Sequence, residues 1–193
     1  MKVLFHLGHP AHFHLFKNVI ASLKKEDHKV FILIKKKDIL EELLKESDFD
    51  YENILSRGRK DSKIGIAIGQ LKQLSRLFWF CLKHKPDILI GSTPTIAQVS
   101  KLIGKPSINL SEDDASEVPL FAKTTYPFSS VILSPDSCDN GKWNRKTVNY
   151  NSYHELSYLH PNHFTPNHAR RRRIGGFSPR VLMRSMVLAI TFT

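Results

Sequence analysis

The sequence predicts an α/β domain built on a doubly wound parallel sheet. Three observations carry that expectation: short apolar runs alternating with helical patterns, brief connections between them, and strands apolar on both faces. Strand–helix–strand units with short links close as right-handed crossovers, which puts helices on both sides of one sheet.

Residues 2–7 form an apolar run that stops at Gly8, as a buried strand does. Pro10 then suits a first helical turn, where its missing N–H costs nothing. Phe13, Phe16, Ile20 and Leu23 follow at helical spacing, and Lys24 and Lys25 complement the dipole at the far end. Residues 30–34 are the next strand, Ile39 to Leu44 mark a second helix, and residues 51–55 a weaker strand. A polar loop over 56–63 leads into a long helix over 64–84, which Pro86 ends. Residues 87–91 are a strand closing in the turn Ser92-Thr93-Pro94-Thr95. Residues 96–103 are helical, 107–110 a strand, 114–124 a helix with Pro119 near its start, and 131–133 a strand. Past Ser134 the pattern fades, apart from one short helix within 153–159.

Composition narrows the class. The 193 residues are 41% hydrophobic and 24% charged, enough for a packed core in one domain of ordinary size. Cys81 and Cys138 are too few for a disulfide framework or a four-cysteine zinc site, and they fit a reducing compartment. The apolar run after Lys2 is too short for a signal-peptide core, and no stretch nears the roughly 20 apolar residues of a membrane span. The expectation is a soluble cytoplasmic protein.

The net charge of +11 is unevenly placed. Residues 168–193 hold six arginines and no lysine, aspartate or glutamate, whereas the body favours lysine and is only mildly basic. A specific nucleic-acid partner is therefore not expected. We divide the chain at this flip, into a domain over 1–167 and a basic tail over 168–193 outside the fold. The adjacent Arg170 to Arg173 repel one another and favour an extended, solvated chain.

Ligands of doubly wound sheets bind beyond the carboxyl ends of the strands. The loops that matter are Gly8 to His14, Ser56 to Ser62, Gly91 to Thr95 and Ser111 to Asp114. His6, His9, His12 and His14 crowd the first, yet strand, turn and helix positions diverge, so no metal site is expected. Either a helix-start histidine held by backbone groups, or a base or phosphate contact at a helix N-terminus, fits the pattern. The loop is not Gly-x-Gly-x-x-Gly, so no dinucleotide fingerprint is present and no cofactor is expected. Glu112, Asp113 and Asp114 read as caps or dipole partners of the next helix, or as ligands for sugar hydroxyls. Arg57 and Arg59 read as a solvated loop or a phosphate contact. Residues 77–82 are apolar all round, for burial against a partner domain or contact with a lipid-linked ligand. Ser92 and Thr93 have no triad, and His154-Glu155 lacks a second histidine at zincin spacing.

The run Gly8-His9-Pro10-Ala11-His12-Phe13-His14-Leu15-Phe16 resembles the opening of the DUF354 family, glycosyltransferases by prediction. So do Lys85 to Gly91, Tyr126-Pro127-Phe128 and the run from Tyr153 to Pro161, and the resemblance covers residues 1 to about 167. The family is similar to GT-B glycosyltransferases, such as the N-acetylglucosaminyltransferase that makes lipid II, and to UDP-N-acetylglucosamine 2-epimerases. The resemblance implies two Rossmann-like domains facing a cleft, the first for the acceptor and the second for the nucleotide sugar. His12 falls where the lipid II enzyme closes its first glycine-rich loop, with Pro10-Ala11 replacing two glycines here. Gly91 and Ser92 match the turn after the fourth strand, and Glu112 an acidic position after the fifth.

The expected function is sugar transfer from a nucleotide-sugar donor to an acceptor hydroxyl, with His12 as base. Gly8, His9, His14, Gly91, Ser92, Thr93 and Glu112 are the expected binding residues. The alternatives are an epimerase-like isomerase and a non-catalytic binding domain. The expected acceptor is a sugar or a lipid-linked molecule, the latter with peripheral membrane contact. A second domain needs roughly 150 residues more, and 26 follow Asn167. A frameshift or early stop is the simplest account, and a short protein whose basic tail recruits an acidic partner is the other. The chain alone is expected to be inactive and to bind no nucleotide sugar tightly.

Overall fold

The computed structural model describes residues 1–35, 39–47, 49–55 and 63–161. Met1–His160 forms one compact unit. The expectations for Arg57, Arg59 and the tail lie outside the described residues.

Among the described residues seven parallel strands make one sheet, in the order β3-β2-β1-β4-β5-β6-β7. They are β1 (Lys2–Leu7), β2 (Lys29–Lys35), β3 (Glu52–Leu55), β4 (Ile88–Gly91), β5 (Ser107–Leu110), β6 (Val131–Pro135) and β7 (Thr147–Tyr150). The helices are α1 (Pro10–Lys25), α2 (Leu40–Glu46), α3 (Lys63–His84), α4 (Pro94–Leu102), α5 (Pro119–Thr125) and α6 (Leu156–Leu159), with a 3-10 turn over Gly141–Lys146. The strand pleat sorts the core into two layers, because successive side chains leave opposite faces. Val3, Phe5 and Leu7 of β1 pack with Phe13, Phe16 and Ile20 of α1 and with Leu40 and Leu44 of α2. Leu4 points the other way, to Leu77, Phe80 and Cys81 of α3 and Ile96 and Val99 of α4. Both layers are as the apolar runs predict.

Two elements differ from expectation. Residues 114–118 do not join α5, which begins at Pro119 with Val118 as its cap. Backbone competition explains this. Asp114 Oδ1 accepts the Asp139 N–H at 2.7 Å, and the Ala115 N–H donates to the Asp139 carbonyl at 2.9 Å. The chain is thereby stapled to the loop after β6, and Pro119 takes the first-turn position that needs no N–H. The second difference is β7, which pairs with β6 through Leu133↔Val148 and Ser134↔Asn149. Its four residues, Thr-Val-Asn-Tyr, carry too little apolar pattern to stand out.

Among the described residues no helix is long and apolar enough to cross a membrane.

Candidate functional site

Chain order reverses between β1 and β4, the place where an open parallel sheet leaves a crevice at its carboxyl edge. A pocket of about 340 Å3 opens there. One wall is α1, through Ala11, His12 and Leu15; another is formed by Ser92, Ser111, Glu112 and Asp113 after β4 and β5. Val118 and Phe121 contribute from around α5, and His154, Glu155 and Tyr158 close the remaining side.

His12 is half-buried, and its Nδ1 accepts the Gly8 N–H at 3.2 Å. A neutral ring so bonded carries its own proton on Nε2. Ser92 Oγ donates to the Leu110 carbonyl at 2.8 Å, tying the end of β4 to β5 and leaving an acceptor lone pair. Ser111 Oγ accepts from the Tyr126 hydroxyl at 2.7 Å, which fixes the start of the acidic loop. Because α5 starts only at Pro119, Glu112 and Asp113 are neither caps nor first-turn dipole partners. Glu112 Oε2 lies 2.8 Å from Nδ1 of His154.

His6 points away from this pocket, into the α3–α4 layer. Gln73 donates an amide N–H to its Nε2 at 3.0 Å, so Nδ1 bears the proton and donates to Thr93 Oγ1 at 3.0 Å. Burial, with the charges of His12 and Lys35 adding to it, holds its pKa down at about 3. His6 is a neutral strut.

Of the residues expected at the site, the fold brings His12, Ser92 and Glu112 together on the pocket wall. His9 instead caps α1, its Nδ1 accepting the Ala11 N–H at 3.2 Å. The His14 ring packs on Tyr158 at 5.3 Å, and burial followed by the Lys17 charge lowers its pKa. Thr93 is engaged by His6, and Gly91 is a packing position. A Cβ there would meet the His6 carbonyl oxygen at 3.0 Å and Ile96 Cγ1 at 3.2 Å. A Cβ at Gly8 would make only an ordinary contact with Thr93 Cγ2 at 3.5 Å. The four crowded histidines thus serve different partners. Among the described residues no three or more His, Cys, Asp or Glu gather as a metal site.

Sequence reasoning left His154, Glu155 and Tyr158 out of the site. The signal was a stretch dense in polar and aromatic residues with no apolar period, sitting on an otherwise fading pattern. Its docking explains it: Asn18 Nδ2 of α1 donates to the Ser157 carbonyl at 3.0 Å, and the Tyr158 ring packs at a tilt on His14.

The fold is that of one Rossmann-like domain of the GT-B kind. No family model and no curated protein matches the chain. Solved structures do. The UDP-GlcNAc 2-epimerase from Methanocaldococcus jannaschii superposes with a TM-score of 0.65 at 16% identity, over 82% of this chain and 48% of that one. The Neisseria meningitidis UDP-GlcNAc 2-epimerase bound to UDP-GlcNAc gives 0.63 at 16% identity, over 100% of this chain and 54% of that one. The spinosyn rhamnosyltransferase SpnG gives 0.54 at 17% identity, over 72% and 45%. The chain spans about half the length of these proteins.

Proposed function

We propose that the body of this chain is the acceptor-side domain of a GT-B glycosyltransferase, with a nucleotide-sugar donor held across a cleft by a second domain. The lining of the pocket carries this reading. Among the described residues Glu112, Asp113 and Glu155 supply carboxylates, Ser92 and Ser111 hydroxyl oxygens, and Phe121 and Tyr158 apolar faces, and no described lysine or arginine lines the pocket. Carboxylates and ring faces suit a hydroxyl-rich ligand; a diphosphate calls for cations or free N–H groups. The likeness to DUF354 around Gly8 to Phe16 points the same way.

The isomerase reading stays as the second, favoured by the fold likeness to two UDP-GlcNAc 2-epimerases. Calorimetric titration of UDP-N-acetylglucosamine into the 193-residue chain tests the first reading. Binding no tighter than millimolar is expected, and micromolar binding would count against a donor site in another domain. Incubation in D2O separates the second, since deuterium entering the sugar at C2 marks an isomerase.

A lipid-linked acceptor, with peripheral membrane contact, fits one further surface. Ile68, Leu71, Trp79 and Leu82 of α3 are exposed along one side of the helix. Lys72, Arg76 and Lys83 are exposed beside them, and α3 contains no acidic residue. Apolar side chains flanked by cations match an anionic bilayer surface.

A further inference from the structure

We propose that Glu112 and His154 work as one couple at the pocket, Glu112 as the base for an acceptor hydroxyl and His154 as its positioning residue, with His12 a hydrogen-bond donor. This rests on reading the pocket as the acceptor site.

The geometry assigns the parts. His154 Nδ1 stands 2.8 Å from Glu112 Oε2, and the His154 side chain is 10% exposed against 54% for Glu112. Both side chains line the pocket, the imidazole as the buried half of the pair and the carboxylate as the exposed half. The ring lies parallel to that of Tyr150, with centroids 6.1 Å apart and planes 11° apart, so its orientation is fixed from one face. Its Nε2 is buried with no hydrogen-bond partner among the described residues. A neutral His154 therefore places its one proton on Nδ1, where Glu112 accepts it, and pins the carboxylate through Oε2. Oε1 is left for a ligand hydroxyl. His12 is wired the opposite way: the Gly8 N–H occupies its Nδ1, and a proton on Nε2 makes that nitrogen a donor. A base at His12 Nε2 would need the other tautomer, which sets two N–H groups against each other at Gly8.

In the step that follows, the acceptor O–H gives its proton to Glu112, and the oxygen lone pair forms the new bond to the anomeric carbon of the nucleotide sugar. The bond from that carbon to the diphosphate oxygen breaks with its electron pair going to the leaving nucleoside diphosphate. Glu112, open to solvent, then releases the proton to water.

Nitrogen-detected imidazole NMR on the 193-residue chain, at about pH 8 where ordinary histidines are neutral, tests the wiring. His154 is expected with Nδ1 protonated and His12 with the proton on Nε2 alone. Glu112→Ala should speed exchange of the His154 Nδ1 proton with water by about tenfold, the loss of one charge-assisted bond. His12 should be unchanged in that variant. In His154→Asn the new amide N–H should restore the donor to Glu112, read as a slowed amide proton. A bare His154 Nδ1, exchange indifferent to Glu112→Ala, or His12 protonated on Nδ1 would each overturn the proposal. Failure of the acceptor reading shows separately, as a pocket that no glycoside perturbs while these tautomers stand.

Discussion

His6 makes the fold sensitive to acid. Its ordinary pKa of 6.5 falls to about 3 in the folded chain, chiefly through burial, so the unfolded chain takes up the proton first as pH drops. The associated stability is complete above about pH 6.5 and drains as pH falls towards 3. Urea unfolding midpoints should therefore drop between pH 7 and 4. That drop should shrink in His6→Ala, which itself costs about 2–4 kcal/mol through a lost buried side chain and two orphaned partners. A midpoint independent of pH in the parent chain would show His6 is not buried neutral. The two strand-end glycines make a paired test. Gly91→Ala pushes a methyl against the His6 backbone oxygen, which cannot yield cheaply, and should cost about 1–3 kcal/mol. Gly8→Ala should be tolerated, because its nearest neighbours, Thr93 Cγ2 at 3.5 Å and His12 Cε1 at 4.0 Å, lie at ordinary contact distances. Equal thermal shifts for the two would refute this packing account. From the sequence, the histidine-rich opening was visible as a site but not sorted. Spacing alone does not say that the pleat sends His6 into the α3 layer while a helical turn turns His12 to the pocket.

At the scale of elements, the acidic loop owes its place in the pocket to the late start of α5. Asp114 and Ala115 prefer partners around Asp139, a contact 25 residues away that no local pattern encodes. The same holds for α6, too short to be stable alone and held by Asn18 and the His14 ring. The long helix α3 was legible in full, but its exposed side was not. Residues 77–82 look apolar all round, whereas Leu77, Phe80 and Cys81 are buried and Trp79 is 65% exposed. If that side meets a bilayer, the protein should co-sediment with vesicles rich in phosphatidylglycerol, and less so as salt rises. The double change Trp79→Ser and Leu82→Ser should weaken sedimentation about tenfold or more, by removing buried apolar area. Equal sedimentation of parent and variant would exclude α3 as the contact.

For the whole molecule, the parallel sheet follows from pattern alone: doubly apolar strands need cover on both faces, and short links leave one handedness. The switch point between β1 and β4, and hence the pocket's location, follows from that topology. What the sequence hid is the meeting of Glu112 with His154, 42 positions apart, since it depends on β7 and the return of the chain across the sheet edge. The domain assignment also has a test at this scale. Deleting residues 168–193 should leave the unfolding free energy of the body within about 0.5 kcal/mol of the full chain. A larger loss would place the tail in the fold.

The central claim is that the sheet-edge pocket takes a hydroxyl-rich acceptor and not the donor's diphosphate. Amide chemical-shift mapping of the labelled chain with methyl N-acetylglucosaminide and with UDP, titrated separately, tests it most directly. The account predicts that the glycoside moves the amides of His12, Ser92, Ser111, Glu112 and Tyr158, and that UDP leaves them in place. UDP shifting that set at lower concentration than the glycoside, or the glycoside moving none of them, would contradict it.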